Sequence, residues 1–149
     1  MRRRNESGLR RVPAGPHGAR RRTLVVVIAV LGGVAVSSGL LGIVGGPEAL
    51  PGGESVNATV DSQYRFANVF WLAAGLLVWW SLHHPGRRRE VTRVTLAVAS
   101  VGGVARLVSA VLTGWPHPVF VGVTVLELVV VPFVIWWHVR VFGRTPMKS

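Results

Sequence analysis

Four long apolar blocks run through this chain of 149 residues, and they leave few folds open to it. They fall at 23–44, 61–82, 91–112 and 119–142. Each is near the roughly 20 residues that an α-helix needs to cross the hydrocarbon core of a bilayer. A helix of a soluble bundle keeps a polar outer face, whereas these blocks are apolar nearly all round. The fold class that follows is all-α, an integral membrane four-helix bundle.

The connections carry the orientation. The net charge is +11, and the basic residues are unevenly placed. Arginines crowd residues 1–22, recur at Arg87, Arg88, Arg89 and Arg93, and return at Arg140 and Arg144, with Lys148 after them. The connections at 45–60 and 113–118 hold no Lys or Arg. Four spans put these segments on alternate sides, so the positive-inside rule predicts both termini in the cytoplasm. The expected location is the plasma (inner) membrane. Residues 1–22 read as a disordered basic cytoplasmic tail and 143–149 as a second tail. The N-terminal arginines suit anionic lipid head groups. Nucleic acid is not an expected partner, because the basic blocks flank apolar spans and leave no room for a recognition fold.

Aromatic residues agree with this topology. Trp79, Trp80, Trp136 and Trp137 fall at the predicted cytoplasmic ends of spans two and four. Tyr64, Phe66, Trp115 and Phe120 fall near the outer ends. Belts of this kind form at both membrane interfaces. Arg21-Arg22 before the first span faintly resembles a twin-arginine signal, with Ala35-Val36-Ser37 as a cleavage site. The apolar stretch continues well past that site, which favours a retained helix.

Within the spans, small residues recur at four-residue spacing on the first: Gly33 and Ser37, Ala35 and Gly39, Ser38 and Gly42. Such spacing lets helices approach closely in lipid. Packing within the chain's own bundle is the preferred reading, and a homo-oligomer face is the alternative. The third span carries one stripe of small and polar residues, Thr95, Ala99, Gly102, Arg106, Ser109 and Thr113, at helical spacing. Pro132 is expected to kink the fourth span.

Charges inside a span are rare and mark functional sites by default. Arg106 and Glu127 are the two clear ones, and Asp61 and Arg65 lie at the outer mouth of the second span. At about 1.5 Å per residue, Arg65, Arg106 and Glu127 lie about 6, 9 and 12 Å below the outer helix ends. All three are therefore expected in the outer half. Spans three and four are joined by a short turn, which predicts an Arg106–Glu127 pair. Asp61 and Arg65 have the spacing of a helical ion pair, and Asn68 continues their face. The candidate site is Asp61, Arg65, Asn68, Arg106, Ser109 and Glu127, with Thr124 beside it and His117 in the turn above.

Three roles remain open for this cluster. Its ion pairs can lock the helices in register, although desolvation offsets much of the attraction in a buried pair. It can hold a small polar or anionic ligand between Arg65 and Arg106. Glu127 can relay protons or act in catalysis, since a buried carboxylate holds its proton more readily.

Other features carry less. The chain has no cysteine, which excludes disulfides and cysteine-held metals. His83-His84 is a loop pair without further ligands, and His138 reads as an interfacial histidine. No nucleophile–base pair, phosphate loop or metal constellation stands out, so no catalytic residue, metal or cofactor is assigned. The preferred function is a non-enzymatic binding, accessory or structural role. A carrier or channel component for a small solute or proton is the alternative.

One resemblance extends this reading. Asp61-Ser62-Gln63-Tyr64-Arg65-Phe66 with Gly75, then Gly102-Gly103-Val104-Ala105-Arg106-Leu107-Val108-Ser109 with Gly114, and then Glu127 form one pattern. This resembles a bacterial membrane-protein family catalogued as domain of unknown function 4345. The resemblance covers about 23–142 and implies a small four-helix membrane protein with no assigned reaction. A looser similarity to DoxX-like four-helix membrane proteins implies a membrane redox-enzyme subunit as a further alternative, on fold-level analogy alone.

Overall fold

A computed structural model describes residues 16–143, which are helical apart from short connections. The helices are α1 (Pro16–Gly45), α2 (Ala58–Leu82), α3 (Arg89–Thr113), α4 (Pro118–Val125) and α5 (Val131–Phe142). A π turn, Leu126–Val130, joins α4 to α5 in one continuous span. A single 3₁₀ turn, Pro47–Ala49, lies in the α1–α2 connection.

Local chemistry places the ends. After α1, Gly46 takes φ +67 and Pro47 follows, a pairing that stops a helix. Asn57 caps α2, its side chain accepting from the Val60 N–H at 3.0 Å. Gly114 ends α3 at φ +100, and His117 with Pro118 opens α4. The helix α1 starts before the expected first span, so residues 16–22 are helical rather than an unstructured tail. Arginine is a good helix former, and the hydrogen-bond ladder simply continues through it. The rest of that tail and most of the C-terminal one lie outside the described residues.

Four helices are long and apolar enough to cross a membrane: Gly18–Gly45, Ala58–Leu82, Arg89–Thr113 and Pro118–Phe142. Only 17–28% of the residues in their most apolar stretches are buried within the protein. The outward faces are Val, Leu, Phe and Trp, among them Val26, Val30, Val98, Val111 and Phe133. Such faces suit a multi-pass membrane protein, since water would strip them together.

The helices form two antiparallel hairpins, α1–α2 and α3–α4/α5. Glycines set the first. A Cβ on Gly39 would stand 2.6 Å from the Leu72 backbone nitrogen, and one on Gly75 would stand 2.7 Å from the Gly32 carbonyl oxygen. The small residues of α1 therefore serve contact with α2, within one chain. The hairpins meet through α2–α3 and α1–α5. Their shared core is Leu24, Ile28, Val78, Leu96, Val131 and Val134, all toward the end that carries the Arg87-Arg88-Arg89 connection. A buried hydroxyl pair at this basic end, Ser81 with Thr92 at 2.7 Å, ties α2 to α3. Burial thins toward the opposite end, and α4 has no buried residue.

Two expectations change here. His138 is fully buried at the basic end, not interfacial: Arg93 Nε approaches its Nδ1 at 3.4 Å, and the Phe142 ring lies 4.8 Å away. The irregularity expected from Pro132 falls one turn earlier, as the π turn. Proline has no N–H for an i−4 bond, and its ring crowds the carbonyl there. Lengthening the preceding turn relieves that conflict, and the Val131 N–H reaches back to the Leu126 carbonyl.

Candidate functional site

The structure divides the six candidate residues between two places. At the first, Asp61 and Arg65 pair at 2.8 Å. Arg65 also donates through Nη1 to the carbonyls of Ile43 at 2.7 Å and Val44 at 3.0 Å. The last carbonyls of a helix have no partner within it, and a cation beside them meets the negative end of the helix dipole. Arg65 thus caps the C-terminus of α1, and Asp61 holds it there. Gly46 makes room for this clamp: a Cβ on it would stand 2.6 Å from Arg65 Nη2 and 2.9 Å from Asp61 Oδ1.

At the second place, Arg106 Nε meets Glu127 Oε2 at 3.1 Å. The partners differ in exposure. The Glu127 side chain is 3% exposed and that of Arg106 is 41%, so the carboxylate is sealed while the guanidinium reaches open space. Two features bring Glu127 inward. It sits on the π turn, whose extra residue rotates the start of α5 relative to α4. It also packs on Gly103 of α3, where an added Cβ would stand 2.8 Å from Glu127 Cβ. Gly102, next to it, has nothing near the place a Cβ would take.

Between the hairpins lies a cavity of about 410 Å³. Its walls are mainly apolar, with Leu31, Val34, Leu41, Val123 and Leu126 among them. The polar and aromatic groups on the wall are Ser38, Tyr64, Asn68, Trp71, Thr95, Arg106, Phe120 and Glu127. Leu50, from the α1–α2 connection, closes one side. Arg106 lies 5.8 Å from the Phe120 ring centre.

Three of the six candidates, Asn68, Arg106 and Glu127, line this cavity. Asp61, Arg65 and Ser109 do not. Matched depth was a sound guide, but rotation about the helix axis decides which groups meet. The close α1–α2 contact turns the Asp61–Arg65 edge of α2 toward α1. Ser109 is exposed, and its nearest hydroxyl is Thr113 at 3.5 Å. Asn68 lies between the two places: it donates to the Tyr64 carbonyl at 2.8 Å and fills the space left by Gly42. Thr124 bonds the Phe120 carbonyl at 2.9 Å, and the His117 ring accepts from Val119 N at 3.4 Å as a helix cap.

Sequence reasoning missed Trp71 and placed Tyr64 and Phe120 in the interfacial belt. The signal for Trp71 was present: Tyr64, Asn68 and Trp71 share one face of α2 at spacings of four and three. Among the described residues, no group of three His, Cys, Asp or Glu side chains is arranged to hold a metal ion.

Neither a curated protein nor a solved structure matches the chain. The profile of a family described as "Domain of unknown function (DUF4345)" matches residues 23–138. That stretch includes Arg65, Arg106 and Glu127 with both hairpins around them. The chain is therefore a member of the DUF4345 family.

Proposed function

We propose that this chain is a non-enzymatic, multi-pass membrane protein that holds a lipophilic ligand between its two hairpins, with both termini in the cytoplasm. The cavity reaching Arg106 carries this reading. Its 410 Å³ falls in the range of small-molecule sites, which are mostly apolar with a few convergent polar groups. A bundle locked only by its charges would leave no space beside the pair. Arg65 is committed to the end of α1, so a ligand would meet Arg106 rather than bridge the two arginines. Transport would further require the core around Leu24, Ile28 and Val134 to part, because it closes the basic end.

The orientation rests on the basic end itself. Arg88 lies 3.6 Å from the Trp80 ring centre and Arg140 lies 4.6 Å from that of Trp136. Arginine over an interfacial aromatic keeps its stem in the apolar layer and its charge near anionic head groups.

Native mass spectrometry of protein released from maltoside micelles tests the binding reading. A retained lipophile is expected on the parent chain. It should be lost from Ala99→Phe, which fills the cavity wall. A parent chain without bound mass would overturn the reading, as would an Ala99→Phe variant that keeps the same mass.

A further inference from the structure

Resting on that reading, we infer that the ligand's polar end is a hydrogen-bond acceptor, a carbonyl, ester or carboxylate oxygen, seated beside Arg106, Trp71 and Tyr64. The inference comes from matching donors to acceptors around the cavity. A guanidinium carries several N–H donors. One of those on Arg106 is given to Glu127, and the others have no acceptor among the described residues. The indole N–H of Trp71 and the hydroxyl of Tyr64 also lack a protein partner there.

The hydroxyls beside them have spent their donors, and Asn68 gives one of its two amide N–H groups to the Tyr64 carbonyl. Ser38 donates to the Ala35 carbonyl and Thr95 to the Val91 carbonyl. Lone pairs are left on Asn68 Oδ1, on the second oxygen of Glu127 and on the hydroxyls of Ser38, Tyr64 and Thr95, but among the described residues Arg106 donates only to Glu127. Within a hydrocarbon slab such donors find no water, and each costs free energy while unpaired. An incoming oxygen can accept from the Arg106 guanidinium, which carries more than one spare N–H. An amine would bring more donors and a positive charge next to Arg106.

The rival attraction is the Glu127 carboxylate, which favours an amine. Glu127 also lines the cavity, but its bond to Arg106 answers part of its charge and its side chain is 3% exposed against 41% for Arg106, so Arg106 is the more accessible group. The two residues cancel in charge, so the head group does not need to be anionic.

Four probes with one chain length separate the possibilities: methyl decanoate, decanoate, decylammonium and decane. Affinity for purified protein in maltoside micelles is read by isothermal titration calorimetry with each probe. Methyl decanoate and decanoate should bind about tenfold or more tightly than decane and decylammonium, the effect of one or two hydrogen bonds. Arg106→Gln and Trp71→Phe should each narrow the ratio of methyl decanoate to decane affinity, whatever they do to decane binding itself. The decane control also reports whether either variant still holds its cavity.

Equal binding of all four probes would overturn the acceptor inference and leave lipophile binding standing. Preference for decylammonium would overturn it in favour of Glu127. Binding of none would overturn the binding reading itself. A preference that survives in both variants would remove these residues from the head-group site.

Discussion

At the scale of single residues, Arg65 and Arg106 perform different work. Arg65 is spent on backbone carbonyls, and its loss leaves the end of α1 without its cap. Arg106 is spent on one carboxylate and keeps donors to spare. A double-mutant cycle on Arg106→Ala and Glu127→Ala, read by thermal unfolding in detergent, should show coupling of about 0.5–3 kcal/mol. Strictly additive losses would mean that the pair contributes nothing. The carboxylate is the sealed partner, so Arg106→Ala should cost more than Arg106→Gln, which can still donate to it. Gly46 is the other sensitive position. Its φ of +67 disfavours any side chain, and a Cβ would press on the Arg65–Asp61 clamp. Gly46→Ala should therefore destabilise by about 1–3 kcal/mol. An unchanged melting curve for that variant would show that the clamp gives way freely.

At the scale of elements, the glycines separate into contacts and bystanders. Gly39→Val should push α2 off α1 and cost about 1–3 kcal/mol. Gly102→Ala and Gly122→Ala meet open space, so they should be neutral within about 0.5 kcal/mol or stabilising through helix propensity. Comparing the three melting temperatures checks this; equal losses would contradict the packing described. The number and placing of the helices were legible in the sequence because apolar length and Gly-Pro punctuation are local signals. The pairing of Arg106 with Glu127 could be read because a short turn makes α3 and α4 neighbours. The division of the site was not legible. It depends on how far α2 is rotated against α1, which Gly39, Gly42 and Gly75 set through non-local contact. The π turn was hidden for a related reason. Pro132 announces a break in the ladder, but not whether the helix bends or takes up an extra residue.

At the scale of the whole molecule, the absence of cysteine makes topology direct to measure. Single cysteines at Ser55 and at Gly86 can be probed with an impermeant maleimide on intact cells. Ser55→Cys should label and Gly86→Cys should not. The reverse pattern would invert the proposed orientation. The expected topology rests on which connections hold arginine, whereas the cavity arises from how two hairpins lean on each other. They are fastened at the basic end and part toward the other. That geometry works as a lever. Gly42 stands about 21 Å along α1 from Ile28, at 1.5 Å per residue. A slight tilt at the fulcrum moves the far ends by much more than the atoms that cause it. Trimming Ile28 or Val134 should therefore alter the bore of a chamber that neither residue touches.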